Sequence, residues 1–174
     1  MGGGIVVLKP GMASATSPGP GPRFACDGSL GALARWLRAA GYEAESHEGV
    51  GGERLVPAVR DADTVLLTSD GRVLERRDVR EGRVRVVHVP CSLGREAQLA
   101  HVLRALGLGL RPPRCMGCGG PLVEVDKDAV RARIPPRTAA WQDEYFLCQG
   151  CGQLFWRGTH WERIRARLGA AAAL

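Results

Sequence analysis

The chain has 174 residues, a formal net charge of +6, 45% hydrophobic residues and only 5% aromatic ones. That length and apolar content exclude a wholly disordered chain and leave room for one full domain with a small appendage. No apolar run approaches the roughly 18 residues of a membrane span, and the Ile5–Leu8 patch is too short for a secretion signal. The chain therefore reads as cytoplasmic, with no membrane partner. Almost all the basic charge is arginine, with Lys9 and Lys127 as the two lysines. Guanidinium groups neutralise phosphates and stack on bases, so a nucleic-acid partner fits; GC-rich coding produces the same excess.

In chain order, residues 1–22 are rich in Gly, Pro and Ser and are expected to form a disordered leader. An α/β unit is predicted over 23–110. "RFACD" reads as a strand ending on Asp27, and "GSLGALARWLRAAG" as a helix with Ser29 as N-cap. Leu30, Leu33, Ala34 and Leu37 fall on one face of that helix, and Gly41 closes it. "YEAESH" is a short strand, and "GERLVPAVRDA" a helical stretch broken at Pro57. "TVLLTS" and the alternating "RVRVVHVP" are strands, and "REAQLAHVLRALGL" is a helix with Leu99, Val102, Leu103 and Leu106 on its apolar face. Strands alternating with helices imply a largely parallel sheet with right-handed crossovers. "RPPR" (111–114) opens a second unit, a ribbon with a C-terminal helix over 111–168, and 169–174 is a tail.

The second unit holds the plainest chemical signal. Cys115 and Cys118 form one Cys-x-x-Cys pair, and Cys148 and Cys151 another, with 29 residues between the pairs. In a reducing compartment such pairs point to metal rather than to disulfides. A glycine follows each second cysteine, where the chain has to turn so that N–H groups face the thiolates. Four thiolates close a tetrahedral Zn²⁺ site with no open position, so the zinc is structural, in a ribbon with an intervening hairpin. Beyond it, "FWRGTHWERIRARL" carries a capping box, Thr159 to Glu162, that starts a basic helix at His160. Arg157, His160 and Trp161 are candidates for single-stranded nucleic acid, which pairs arginine with phosphate and rings with bases. For Phe155 and Trp156, a small core between ribbon and helix is the competing reading.

The carboxylates are more ambiguous. Function in an open parallel sheet gathers at the carboxyl ends of strands, and Asp27 and Asp70 both end predicted strands. If those strands are neighbours, the two acids converge and a divalent cation relieves their repulsion. Mg²⁺ or Mn²⁺ held there can activate water against a phosphodiester. Glu53 is the third candidate acid, ahead of Glu43 and Glu45. Taken alone, each aspartate is more often a turn former or helix cap, and only the two together at matching strand ends bring the metal reading level. Arg35 and Arg38, on the polar side of the first helix, either hold phosphate or are ordinary solvated arginines.

Several of these segments together resemble a known family. "FACDGSLGALARWLRAAGYEAE", "VLLTSDGRVL", "RCMGCGGPL" and "FLCQGCGQLFWRGTHW" are similar, in order over about 23–168, to the RNase domain at the C-terminus of Mut-seven-type exonucleases, also found as a stand-alone bacterial protein. The resemblance implies a PIN-like α/β nuclease fold fused to a zinc ribbon, and a metal-dependent ribonuclease, a hydrolase, acting on RNA. It places the family's first acid on Asp27 and the "LTRD" aspartate on Asp70, with Ser69 in place of the arginine. It also matches the four cysteines and the Trp156-x-Gly158-Thr159-His160 segment. The family's aspartate before the "LLT" strand is Gly52 here, beside Glu53, its "GYD" acid is Glu43, and Gly71 and Arg72 stand where a further acid follows Asp70, leaving Asp78 as the next one. A catalytically weakened RNA- or ribosome-binding module is the alternative, and a protein partner docked on the ribbon a third.

Overall fold

The computed structural model of the protein describes residues 21–59 and 61–173, so all but the last two residues of the expected leader lie outside the described residues. Strands β1 (Arg23–Cys26), β2 (Glu43–Ser46), β3 (Thr64–Thr68) and β4 (Arg85–His88) pair in the order β2-β1-β3-β4, every neighbour parallel. Side chains alternate across a pleated strand. Phe24, Cys26, Val65 and Leu67 therefore enter the core on one face, and Ala25 and Leu66 the core on the other.

Helices α1 (Gly31–Ala39), α2 (Gly52–Leu55), α3 (Arg77–Arg80) and α4 (Arg95–Ala105) connect and flank the strands. Leu33, Ala34 and Leu37 of α1 and Leu99, Val102 and Leu103 of α4 cover the first face. Leu55 and Val56 close the second, and α2 stops before Pro57, as expected of a residue with no N–H to donate. The expected cap at Ser29 is displaced: residues 28–30 form a 3-10 turn capped by Asp27, whose carboxylate accepts the Ser29 N–H at 3.0 Å. Asp27 is extended and one turn ahead of α1, which is the geometry a cap needs. A second 3-10 turn, Gly71–Glu75, and α3 follow Asp70. Cys26 is buried in the core, its thiol pushed up to about 12 by that burial, which keeps it inert.

The second unit is an antiparallel sheet of β5 (Leu122–Val125), β6 (Tyr145–Cys148) and β7 (Leu154–Trp156). A plain hairpin does not join β5 to β6. The chain instead runs through α5 (Lys127–Val130), a 3-10 turn over 131–133 and α6 (Pro136–Ala139). Val130 and Ile134 from this excursion pack on Tyr145, Leu154 and Trp156. Helix α7 (Thr159–Ala173) continues through residues 169–173, which the sequence set apart as a tail, because Ala171 is a buried core residue.

The two units share one core. Trp161, Ile164, Leu168 and Ala171 of α7 lie in the same cluster as α1, α4, Phe146, Cys148 and Phe155, and α7 packs along α4. The expected linker is pinned to the end of α1, with the Arg111 and Arg114 N–H groups donating to the carbonyls of Ala40 and Arg38 at 2.9 Å each.

Candidate functional site

The first cysteine pair precedes β5 and the second joins β6 to β7, so the antiparallel sheet brings both knuckles to one end. The Sγ atoms of Cys115 and Cys151 are 3.7 Å apart and those of Cys118 and Cys148 3.3 Å, with all four within 4.8 Å of one another. Bonds of about 2.3 Å to a tetrahedral ion put sulfurs about 3.8 Å apart, so this set fits a four-coordinate metal. Gly119 and Gly152 turn the knuckles at φ +80° and +70°, a region open to glycine. Gly120 lets the chain pass close: a Cβ there would sit 2.9 Å from Cys148 Sγ. Burial pushes the Cys115 thiol up to about 12. Burial also opposes ionisation of Cys148, but N–H groups of Cys151 and Gly150 and the Cys118 thiol outweigh it and bring Cys148 down to about 7.

The carboxyl edge of the parallel sheet is built from β1, β3 and β4. Because β1 pairs with β3, Asp27 follows Cys26 directly beside Thr68, and its N–H donates to the Leu67 carbonyl at 3.0 Å. Asp27 is only 3% exposed. Its Oδ1 accepts the Ser29 N–H (3.0 Å) and hydroxyl (2.5 Å), and its Oδ2 accepts the Thr68 hydroxyl (2.6 Å) and the Ser69 N–H (3.1 Å). Four donors satisfy a buried carboxylate that has no cation in contact among the described residues. The Ser29 and Ser69 hydroxyls are themselves 2.8 Å apart.

Asp70 stands at the end of β3, its N–H held by the Thr68 hydroxyl at 3.1 Å. It caps the turn that follows. Its Oδ1 accepts from the Arg72 N–H and Nε at 3.0 Å each, and its Oδ2 accepts from Nη2 at 2.8 Å. The Arg72 guanidinium, and then its N–H, hold the Asp70 carboxyl below the usual carboxylate range, with a small contribution from His88. Glu53, exposed in the first turn of α2, acts on the same guanidinium and favours its charged form. Asp27 and Asp70 thus stand at the ends of adjacent strands, and Glu53 interacts with the Arg72 that pairs with Asp70. Among the described residues only the four cysteines form a group of three or more metal-type ligands within 4.8 Å. The edge is nevertheless an all-oxygen donor set, two carboxylates with the hydroxyls of Ser29, Thr68 and Ser69, which suits a hard cation. The Arg72 side chain is 76% exposed, so it leaves Asp70 at little cost. The other acids lie elsewhere: Glu43 pairs with Arg114 at 2.9 Å, and Asp78 with Arg83 at 2.8 Å. At position 52, buried against the edge, a Cβ would come within 2.3 Å of the Thr68 hydroxyl, so only glycine fits as packed.

His88 was not singled out from the sequence. It is paired with Thr68 in register, its Nε2 lies 3.1 Å from the Ser69 carbonyl, and it completes the row of strand ends. Its place at the end of a predicted parallel strand was the available signal.

A cleft of about 830 Å³ lies beside this edge, between α1, the first knuckle, the start of α4 and α7. Arg35, Arg38 and His160, three of the residues proposed for nucleic acid, line it together with Ser29, Trp36, Arg95 and Arg167. Arg38 is a clamp as well: Nε donates to the Ala44 carbonyl at 2.7 Å, and Nη1 to those of Met116 (3.1 Å) and Gly117 (2.6 Å) on the knuckle. The other two candidates are elsewhere. Arg157 pairs with Glu144 at 2.8 Å, and Trp161, 3% exposed, is a core residue that no base can reach. Phe155 and Trp156 are buried too, so these two belong to the core, whereas Trp141 of the ribbon is 61% exposed.

No helix among the described residues is long and apolar enough to cross a membrane. No curated protein and no solved structure matches the chain. The sequence does match the Mut7-C RNAse domain over residues 22–168, which takes in the parallel sheet, both knuckles and most of α7. With its strand-end acids and four-cysteine cluster falling inside that span, the chain belongs to the Mut7-C RNAse domain family.

Proposed function

We propose that the protein is a metal-dependent ribonuclease that cuts RNA phosphodiester bonds at the carboxyl edge of its parallel sheet. The observation that carries this reading is the side-by-side placement of Asp27 and Asp70 on β1 and β3, tied together through the Thr68 hydroxyl. Family membership supports the reaction class. Asp27 and Asp70 hold Mg²⁺ or Mn²⁺, and Glu53 adds negative charge on the α2 side. Such an ion, when bound, lowers the pKa of a water and stabilises the leaving oxygen. Asp27 is the fixed member, locked by four donors, and Asp70 the adaptable one, because among the described residues its only side-chain partner is exposed Arg72. The four cysteines hold Zn²⁺, which has no open position and folds the ribbon rather than reacting. The cleft residues Arg35 and His160 hold the RNA, and Arg38, committed to backbone carbonyls, fixes the knuckle wall beside them.

Asp27→Asn and Asp70→Asn test this. Both are expected to abolish Mn²⁺-dependent cleavage of end-labelled single-stranded RNA while zinc content and circular dichroism stay those of the parent. Cleavage at the parental rate by both variants would place the chemistry elsewhere. The Arg72 contact with Asp70 favours a second reading, a non-enzymatic RNA- or ribosome-binding module. A parent that binds RNA but leaves it uncut at every Mn²⁺ concentration would establish that one.

A further inference from the structure

The cleft beside the carboxylate edge also holds Arg95 and Trp36, which the ribonuclease reading does not use. It opens at Ser29, whose hydroxyl donates to Asp27, and runs between the two units of the molecule. Its basic side chains come from three helices: Arg35 and Arg38 of α1, Arg95 of α4, and His160 and Arg167 of α7, against the single acid Glu48. Arg38 is committed to backbone carbonyls, and Arg167 meets Glu96 at 3.3 Å. Arg35 and Arg95 are exposed and have no hydrogen-bond or ion-pair partner among the described residues. Unpaired guanidinium groups aimed into a concave wall are the footprint of a polyanion.

The lining between the charges is apolar. Trp36 is half-buried with its remaining surface in the cleft, and Met116 and Ile164 lie beside it. Aromatic and apolar faces interleaved with arginine suit bases on a sugar-phosphate strand, not an acidic peptide. At about 830 Å³ the cleft has the volume of a small-ligand pocket. It takes a few nucleotides of a single strand, whereas duplex RNA is met across a wide, shallow groove.

We infer that this cleft is the track for the single-stranded RNA flanking the cut, with Arg35 and Arg95 each holding a phosphate and Trp36 taking a base. The assignment of the strand to the cut rests on the ribonuclease reading; the strand binding itself does not. Arg95 and Trp36 enter as specificity-determining residues because the fold brings α4 and the ribbon against α1.

The test is fluorescence anisotropy with a labelled RNA of about eight nucleotides, within the span of known single-strand sites. It is run on the full chain with its zinc retained and no other divalent ion added. Arg35→Glu/Arg95→Glu is expected to weaken binding at least tenfold. It should also make the log-affinity against log-salt plot shallower by about 1.4, the loss of two phosphate contacts on a single strand. The milder Arg35→Gln/Arg95→Gln pair shifts both readings in the same direction. Trp36→Leu weakens binding with the salt slope unchanged, and Arg137→Glu, on α6 outside the cleft, leaves it as in the parent. Parental affinity and slope in both double variants would overturn the inference, as would equal affinity for a duplex of the same sequence or equal competition by polyglutamate. Failure of the ribonuclease reading has a different signature, tight parental binding with the RNA left intact.

Discussion

The hydroxyl of Thr68 serves both aspartates at once, donating to Asp27 and accepting the Asp70 N–H. The two acids nevertheless differ in electrostatic setting, because Asp70 alone has a guanidinium on it. Arg72 favours the charged form of Asp70 in the folded state. A carboxyl whose folded pKa lies below its unfolded value of about 3.8 stabilises the fold above that value. The contribution is lost as pH falls through the lower folded value, so this pair weakens only in strongly acid solution. Arg72→Ala is expected to bring the Asp70 titration up toward 3.8 in ¹³C carboxyl NMR spectra. An unmoved midpoint would show that the pair does not form in solution. The metal cysteines and the two strand-end acids were legible in the sequence because each depends on local spacing or on a strand terminus. Trp36, Arg95 and His88 were not, since their roles come from the packing of helices and strands distant in sequence. Trp161 misled for the opposite reason: a basic-aromatic composition does not say which face of a helix is buried.

Helices α1 and α4 could be read from periodicity because each buries a repeating face, and β3 from its continuous apolar run. The excursion between β5 and β6 could not. Its helices are four residues long, too short for a period, and they are held by tertiary packing of Val130 and Ile134 and by the Asp126 cap. Helix α7 shows how a modest apolar stripe ties elements together. Leu168 is almost fully buried in the shared core, whereas Arg165 faces solvent. Leu168→Ala is expected to cost about 2–5 kcal/mol in urea unfolding, and Arg165→Ala less than about 0.5 kcal/mol. Equal, small effects of both would mean that α7 is not packed on α4 in solution.

The parallel-sheet unit and the ribbon were legible as successive segments, and their fusion was not. Cys115, Cys148 and Phe155 lie in the same cluster as Leu33, Leu37 and Val102, and Arg38 holds the first knuckle by two carbonyls. Removing an ion held by the four cysteines would leave two buried thiols, Cys115 and Cys148, inside that common core. Chelation is therefore expected to lower the thermal midpoint of the whole molecule in one step, with tryptophan fluorescence and far-ultraviolet circular dichroism falling together. Two separated transitions, with the parallel sheet melting at its original temperature, would show that the units fold independently.

Buried Gly52 sets a limit on how this edge can change. A third carboxylate at that position has no room until the Thr68 hydroxyl is gone, and that hydroxyl is one of the four donors fixing Asp27. An acid at position 52 and the rigidity of Asp27 thus trade against each other. A lineage or an engineer adding charge at 52 has to rebuild position 68 in the same step, whereas at Gly71, beside Asp70, an added Cβ meets nothing nearer than His88 Nε2 at 4.0 Å.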